Sequence, residues 1–382
     1  MFRALSHRNF RLFAAGAFLS NAGTWMQTVA QSWLVLQLTD SGTWLGVDNF
    51  VALAPGLLLT LVGGVIADKV DRKRLLIYTQ AGAGASALVL ALLVWTNTIH
   101  WGGEGRRPSD VWMVLVLSFV TGSCWAIAGP SYQAITVELV DREDFANAIA
   151  LNSSQFQLAR VAGPTLAALT MRLLGMAGCF FANGLSYVAI VAALARVRYE
   201  KRGAAAPPGA AGGGKVVVVR RSMWHDLAEG FRYVRGRPRV GTLLLCSAVV
   251  CLFGSPYLVL LPMFARNVYG WGESGLSLLM ATAGAGALVG ALALAYRGDV
   301  PRKGLVLLSC MLSGGACIVG LGAAESPAAA IPLLFGTLPV GSFLSGAAAD
   351  RFGPRPALAA CGLVVLLFGL TAGLVNPRLR EM

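Results

Sequence analysis

The sequence predicts an all-α polytopic membrane protein of about eleven transmembrane helices, six before a long basic loop and five after it. Three observations lead there. Of the 382 residues, 56% are hydrophobic and only 13% charged, whereas soluble domains carry roughly a quarter of their residues as charged types. With a mean hydropathy of +0.66, the apolar residues gather into stretches of about 20 or more, enough to cross roughly 30 Å of hydrocarbon as a helix. The basic residues stand in the gaps between those stretches.

Apolar runs bounded by charge and turn residues lie near 12–38, 44–67, 75–96, 111–137, 145–170, 176–195, 240–265, 275–296, 304–323, 328–348 and 356–375. The first begins after Arg8 and Arg11; it is too long for a signal-peptide core and no small-residue cleavage site interrupts it, so it stays as a membrane helix. Loop charge sets the orientation. One alternate set of loops holds Arg3, Arg8, Arg11, Lys69, Arg72, Lys73, Arg74, Arg142, eleven Lys or Arg in 196–239, and Arg297, Arg302 and Lys303. Up to the ninth span the other set holds only Arg106, Arg107, Arg172 and Arg266, so the N-terminus and the middle loop are expected to be cytoplasmic.

That loop divides the chain into a six-helix bundle (1–196), a cytoplasmic linker (197–239) and a C-terminal bundle of about five helices (240–382). Gly203 to Gly214 is low-complexity linker. Trp224, Leu227, Ala228, Phe231 and Val234 recur at helical spacing beside Arg232, Arg235 and Arg237. They read as a short amphipathic helix on the membrane surface or as a solvated charged linker.

Several function classes drop out. A net charge of +13 and a pI near 9.9 would suggest nucleic acid in a soluble protein, but here positive-inside bias explains the charge. The seven cysteines all fall inside apolar stretches and read as buried packing residues, and three scattered histidines assemble no metal site. Gly209 to Val216 nearly spells a phosphate-binding loop, but Val216 replaces the magnesium-binding hydroxyl residue, which argues against ATP. Gly286 and Gly290, inside a span, read as a close-packing ridge rather than a dinucleotide loop. No catalytic constellation suggests an enzyme, and no cofactor is expected.

An internal repeat is visible. Val70-Asp71-Arg72-Lys73-Arg74-Leu75-Leu76 resembles Val300-Pro301-Arg302-Lys303-Gly304-Leu305-Val306, and Gly163-Pro164 pairs more weakly with Leu338-Pro339-Val340-Gly341. Arg72 to Pro164 is 92 residues, while Arg302 to Pro339 is 37. The shortfall of 55 matches one helix with its loops, so the second half lacks a counterpart of the fourth span.

Gly64-Val-Ile-Ala-Asp68-Lys69-Val-Asp71-Arg72-Lys73-Arg74 closes the second span and opens the third. Gly64 allows a neighbouring helix close approach, Asp68 can cap a helix or pair with a basic residue, and the basic triplet holds the loop at the cytoplasmic face. A plain positive-inside loop would carry Lys and Arg too, without this order. The segment resembles the signature loop of major facilitator transporters, with Asp71 where that family usually has glycine. Trp25 to Val35, Asp141 to Ser153 and Glu229 to Val234 are similar to the bacterial exporter subgroup that contains the enterobactin exporter, and in its pattern the absent segment corresponds to the tenth helix. The resemblance implies two helical bundles that rock about a midplane site, and a loop that latches the outward-facing state.

Ionisable groups inside a span are costly and usually mark a pathway. Arg160, shortly before Gly163-Pro164, can meet an anionic substrate or an acidic partner, or clamp backbone carbonyls of a neighbouring helix. Asp48 is the best embedded acid for proton coupling, unless it is merely solvated near the interface. Glu138 is a candidate partner of the 68–74 loop. Asn21, Trp25, Thr28 and Ser32 share a face of the first span, with Gln27 and Gln31 beside it; that face lines either a cavity or a helix contact. The expected protein is a multi-pass permease of the bacterial inner membrane, with the bilayer, a small-molecule substrate and a proton or other ion as partners. Export of a small lipophilic drug or siderophore follows from the resemblance. The alternatives are an internally deleted, inactive remnant and a membrane scaffold or sensor.

Overall fold

The computed structural model describes residues 3–101, 105–197, 256–297 and 303–336, with single positions at 232, 235, 236, 245, 249, 253, 365 and 368. The side chains at 58, 61, 62, 65, 67–69, 291, 293–297 and 303–307 are outside the description. Nearly all of the linker helix, half of the seventh span, more than half of the tenth and nearly all of the eleventh therefore fall outside the described residues.

In hydrocarbon a chain has to satisfy its backbone polar groups internally, and long apolar runs do so as helices. Helix is the regular structure throughout the described residues. A short 3₁₀ turn (Arg3–Ser6) leads into α1 (Arg8–Thr39), α2 (Gly42–Lys69), α3 (Arg72–Trp95), α4 (Val111–Glu138) and α5 (Phe145–Arg196). After the linker come α6 (Pro256–Met263), continued by a π-helical turn (Phe264–Val268), then α7 (Glu273–Arg297), α8 (Lys303–Ala323) and α9 (Pro327–Phe335). Among the described residues, Arg72–Trp95, Pro108–Glu138 and Arg142–Arg196 are long and apolar enough to cross a membrane. α1 has the length, at 32 residues, and carries the polar face foreseen in the sequence.

Helix ends are set by local chemistry. α5 holds the fifth and sixth spans, and they part at Gly175, whose φ of 68° and ψ of −172° no L-residue adopts readily. Asp71 is the N-cap of α3: its φ is −61° and its carboxylate accepts from the Arg74 amide at 2.9 Å. That accounts for an aspartate where the resembled motif has glycine, because the loop needs a cap there and no left-handed residue.

α1 lies in a groove between the two arms of α5. It runs antiparallel to the second arm, with Gly16 opposite Ala193 and Gly23 opposite Ser186, and crosses the first arm at Gly163. α2 and α4 run parallel, as Trp44 meets Trp112 edge-on at 5.5 Å and Asp48 meets Ser118. Farther along that pair the close approach is at Gly63 rather than at the motif's Gly64. A Cβ on Gly63 would lie 2.9 Å from the Ile127 Cα, while one on Gly64 would meet nothing within 4 Å among the described residues. The α-helical period explains the shift, since adjacent residues point about 100° apart and only one can face α4.

Residues 324–326 turn α8 sharply into α9. α9 returns antiparallel, with Leu333 against Gly320 and Gly336 against Cys317, and the Tyr269 hydroxyl reaches the Ala324 carbonyl at 3.4 Å. α9 also covers Gly286 of α7, the first glycine of the ridge read from the sequence, while a Cβ on Gly290 would meet nothing within 4 Å among the described residues.

Two apolar cores form. One joins Val35, Leu36 and Leu38 of α1 and Phe180 of α5 to Tyr257, Leu260, Phe264, Leu276 and Leu334 of the second half. The other, at the opposite end, draws Phe10, Phe13, Leu76, Ile135 and Leu194 from the first half alone among the described residues.

Gly63→Leu is expected to lower the melting temperature of the detergent-purified protein, by overpacking of about 1–3 kcal/mol. Gly64→Ala is expected to be neutral or to stabilise by about 0.5–1 kcal/mol. Fluorescence-detected thermal unfolding of the two variants beside the parent checks the pair.

Candidate functional site

The sequence-predicted face of α1 opens onto a cavity of about 440 Å³ between the two halves. Asn21, Trp25, Thr28 and Ser32 line it, together with Gln27 and Gln31, and it is bounded across the gap by Leu258, Val259 and Met280. Cavity lining and helix contact, separate readings of that face, are both true. The Gln31 amide donates to both Asp48 oxygens, at 3.0 and 2.9 Å, and approaches Ser118 Oγ at 2.9 Å. Ser118 Oγ stands 2.6 Å from Asp48 Oδ1. Gln27 donates to Gln31 at 3.2 Å and accepts from Asn183 Nδ2 at 2.6 Å; Asn183 Oδ1 in turn accepts from Ser186 at 3.0 Å. This chain ties α1, α2, α4 and the second arm of α5 together. Asp48 is 9% exposed, a carboxylate satisfied by protein donors rather than one bathed at an interface.

A second cavity, of about 720 Å³, adjoins the first and lies toward the end of the bundle that carries Arg72. Asn21, Trp125 and Phe156 line both. Asn21 donates to Gln155 at 3.2 Å, and Gln155 donates to Tyr132 at 3.3 Å and to Asn152 at 3.2 Å. Arg160 lines this second cavity, only 6% exposed, with its guanidinium 5.3 Å from the centroid of the Trp25 ring. Two close approaches hold it there. A Cβ on Gly163 would lie 2.4 Å from the Trp25 Cβ, and one on Gly284 would lie 2.7 Å from the Arg160 carbonyl oxygen. So α1 and α7 both press onto α5 beside Arg160.

At the charged end Arg72 pairs with Glu138, the partnership expected of the signature loop. Lys73 donates to the Ala195 and Val197 carbonyls at 3.1 and 2.8 Å, which caps the C-terminus of α5 and complements its dipole. Asp68 and Lys69 close α2, and their side chains are outside the description. The Asp141–Ser153 segment gains a structural sense too: Asp144 accepts from His7 at 3.0 Å and Asn147 from the Ala4 amide at 2.9 Å, so it anchors the N-terminus. At the opposite end Arg266 meets Asp40 at 3.0 Å, joining the second half to the end of α1.

Ser118, Asn183, Gln155, Tyr132, Trp125 and the Asp40–Arg266 pair are site features that the sequence reading passed over. For Ser118 and Asn183 the signal is a polar residue inside an apolar run, the same signal that picks out Asp48 and Arg160. Arg266 was counted only as loop charge. Among the described residues, no group of His, Cys, Asp and Glu could hold a metal ion.

Comparison with known proteins fits this geometry. The solved structure of a bacterial homologue of the human lysosomal transporter Spinster, inward-facing and occupied, superposes with a TM-score of 0.64 at 13% identity, covering 100% of this chain and 99% of that one. Its inward-facing, unoccupied form gives 0.58 at 14% identity over 97% and 81%. The staphyloferrin A transporter of Staphylococcus aureus is 28% identical over 177 residues, 46% of this chain and 42% of its own length. Macrolide efflux protein A of Streptococcus pyogenes is 20% identical over 277 residues, 72% and 64% of the two chains, so these two relatives are each matched over less than two thirds of their length. The multidrug efflux pump Tap of Mycobacterium tuberculosis is 25% identical over 319 residues, 81% of this chain and 70% of Tap. Residues 1–336 match the family described as transmembrane secretion effectors, and on that match, in a major facilitator fold, the chain belongs to this family of membrane transporters.

Proposed function

We propose that the protein is a secondary active transporter that exports a small, partly lipophilic molecule by alternating access, driven by a proton taken up at Asp48. The observation that carries this reading is the Asp48 carboxylate, enclosed by helices yet lining a cavity between the two halves. An ionisable group in that setting is costly and marks a pathway, and a site between two rocking halves is where alternating access acts. A proton on Asp48 turns an acceptor into a donor. Gln31 and Ser118 must then re-orient, and through Gln27 and Asn183 the change reaches the seam of α1 and α5. Drugs and siderophores are the substrate classes, in keeping with the names of the relatives.

Eleven spans serve this scheme, in a bundle over 1–196, a linker over 197–239 and a second bundle over 240–382, with the N-terminus cytoplasmic and the loops alternating in charge. Asp68, Lys69, Arg72, Lys73 and Glu138 then form the cytoplasmic gate. The shared core and the Asp40–Arg266 pair close the outer end, in the same sense as the inward-facing Spinster homologue. The close packing of α8 with α9 supports an assembled second half over an inactive remnant.

In proteoliposomes with an imposed pH gradient, flux of lipophilic cations and siderophores is expected to rise with the gradient in the parent protein. Asp48→Asn is expected to remove the gradient dependence while substrate binding stays within about threefold, a change of roughly 0.7 kcal/mol. No flux by folded, inserted parent protein would favour the remnant instead. Topology is checked separately. With the seven native cysteines replaced, Ser326→Cys is expected to react with a membrane-impermeant maleimide from outside intact cells; protection there combined with labelling in inverted vesicles would refute the orientation.

A further inference from the structure

We propose that the cavity around Arg160 is the binding site for the head of an acidic amphiphile, a molecule with a carboxylate or similar planar anion on an apolar or aromatic body. This rests on the transporter reading only for the destination of the ligand; the site itself is argued from its own chemistry.

Among the described residues, the lining of this 720 Å³ cavity contains one charged side chain, Arg160, and no carboxylate. Arginine stays protonated in proteins, so the cavity has a fixed positive charge within a helical bundle. Arg160 is 6% exposed as a residue, and its buried Nη2 has no hydrogen-bond partner among the described residues. The Trp25 ring answers only one face of the ion. The in-plane N–H donors need acceptors, and a buried charge left without them is expensive. Among the described residues no carbonyl of a neighbouring helix accepts from Nη2, the structural role open at the sequence level. A carboxylate fits a guanidinium edge with two parallel hydrogen bonds.

The rest of the wall describes the rest of the ligand. Gln157, Asn152 and Gln80 offer neutral hydrogen bonding, while Trp125, Phe156 and Leu288 offer apolar surface. The volume lies within roughly 300–1,000 Å³, the range of small-molecule sites. The first cavity differs in sign, because its described lining contains Asp48 and no basic residue. A lipophilic cation therefore has no reason to settle beside Arg160, and an organic acid has none to settle beside Asp48.

The test uses two probes that differ in charge and by one methyl group, dansyl-phenylalanine and its methyl ester, bound to the full-length protein in nanodiscs and read by fluorescence. The parent is expected to bind the acid about tenfold or more tighter than the ester, the scale of a desolvated charge-assisted pair. Arg160→Gln is expected to erase the difference, and Arg160→Lys to keep part of it. Gln157→Glu keeps the arginine and supplies an internal carboxylate one helical turn away; it too is expected to abolish the acid preference, which covers the case where Arg160→Gln fails to fold. Equal binding of acid and ester by the parent overturns the proposal, as does an acid preference that survives Gln157→Glu. Flux of the acid in proteoliposomes is measured in parallel. Arg160-dependent binding without flux leaves the anion site standing and refutes export, whereas cation flux with no acid binding refutes the site and leaves export standing.

Discussion

The seam between α1 and the two arms of α5 sets the geometry on which the rest of the molecule depends. In a bilayer, helices gain nothing from hiding apolar surface from one another, so association rests on close packing and on hydrogen bonds between them. Here small residues let α1 sink onto α5 at Gly16, Gly23 and Gly163. That depth brings Gln27 within 2.6 Å of Asn183 and Asn21 within 3.2 Å of Gln155. A bulkier seam would separate these amides, and with them the polar chain that reaches Asp48. Trp25 is fixed by the same contact, pressed by Gly163 on one side and carrying the Arg160 charge on its ring.

The two ends of the bundle are built differently. At the Asp40 end, side chains of both halves merge into one apolar core, and an ion pair crosses between them. At the Arg72 end, the described ion pair and the Lys73 cap stay within the first half, and the described core residues do as well. α7 leans on α5 at Gly284, and the second cavity lies below that contact, between Gln157 and Leu288.

Much of this was legible in the sequence, and the part that was not has a physical reason. Hydropathy located α1 to α5, α7 and α8 to within a few residues, because the length of hydrocarbon to be crossed dictates the length of the run. The polar face of α1, the costly charges at Asp48 and Arg160, and the Arg72–Glu138 pairing were also readable, since each is a local departure from an apolar background or a motif spacing. Partners were not. Ser118 and Asn183 are ordinary polar residues until α4 and α5 are placed, and a helical period tells which face a residue occupies without telling what meets it. Gly63 and Gly64 differ only by one step around a helix, and it is Gly63 that faces α4. Asp71 departs from the glycine of the resembled motif because its role is a cap, a property of the following helix rather than of the motif.

The partition between the two cavities is a single layer of side chains, with Asn21, Trp125 and Phe156 facing both and Trp25 standing over the arginine. Chambers of opposite sign with a common wall need not exclude one another's occupants. A molecule lodged in one would be felt in the other as a shift of the wall, and thermodynamic reciprocity makes that influence equal in both directions. Inhibitors of such a protein would then alter both the maximal rate and the half-saturation of transport, instead of competing for one place.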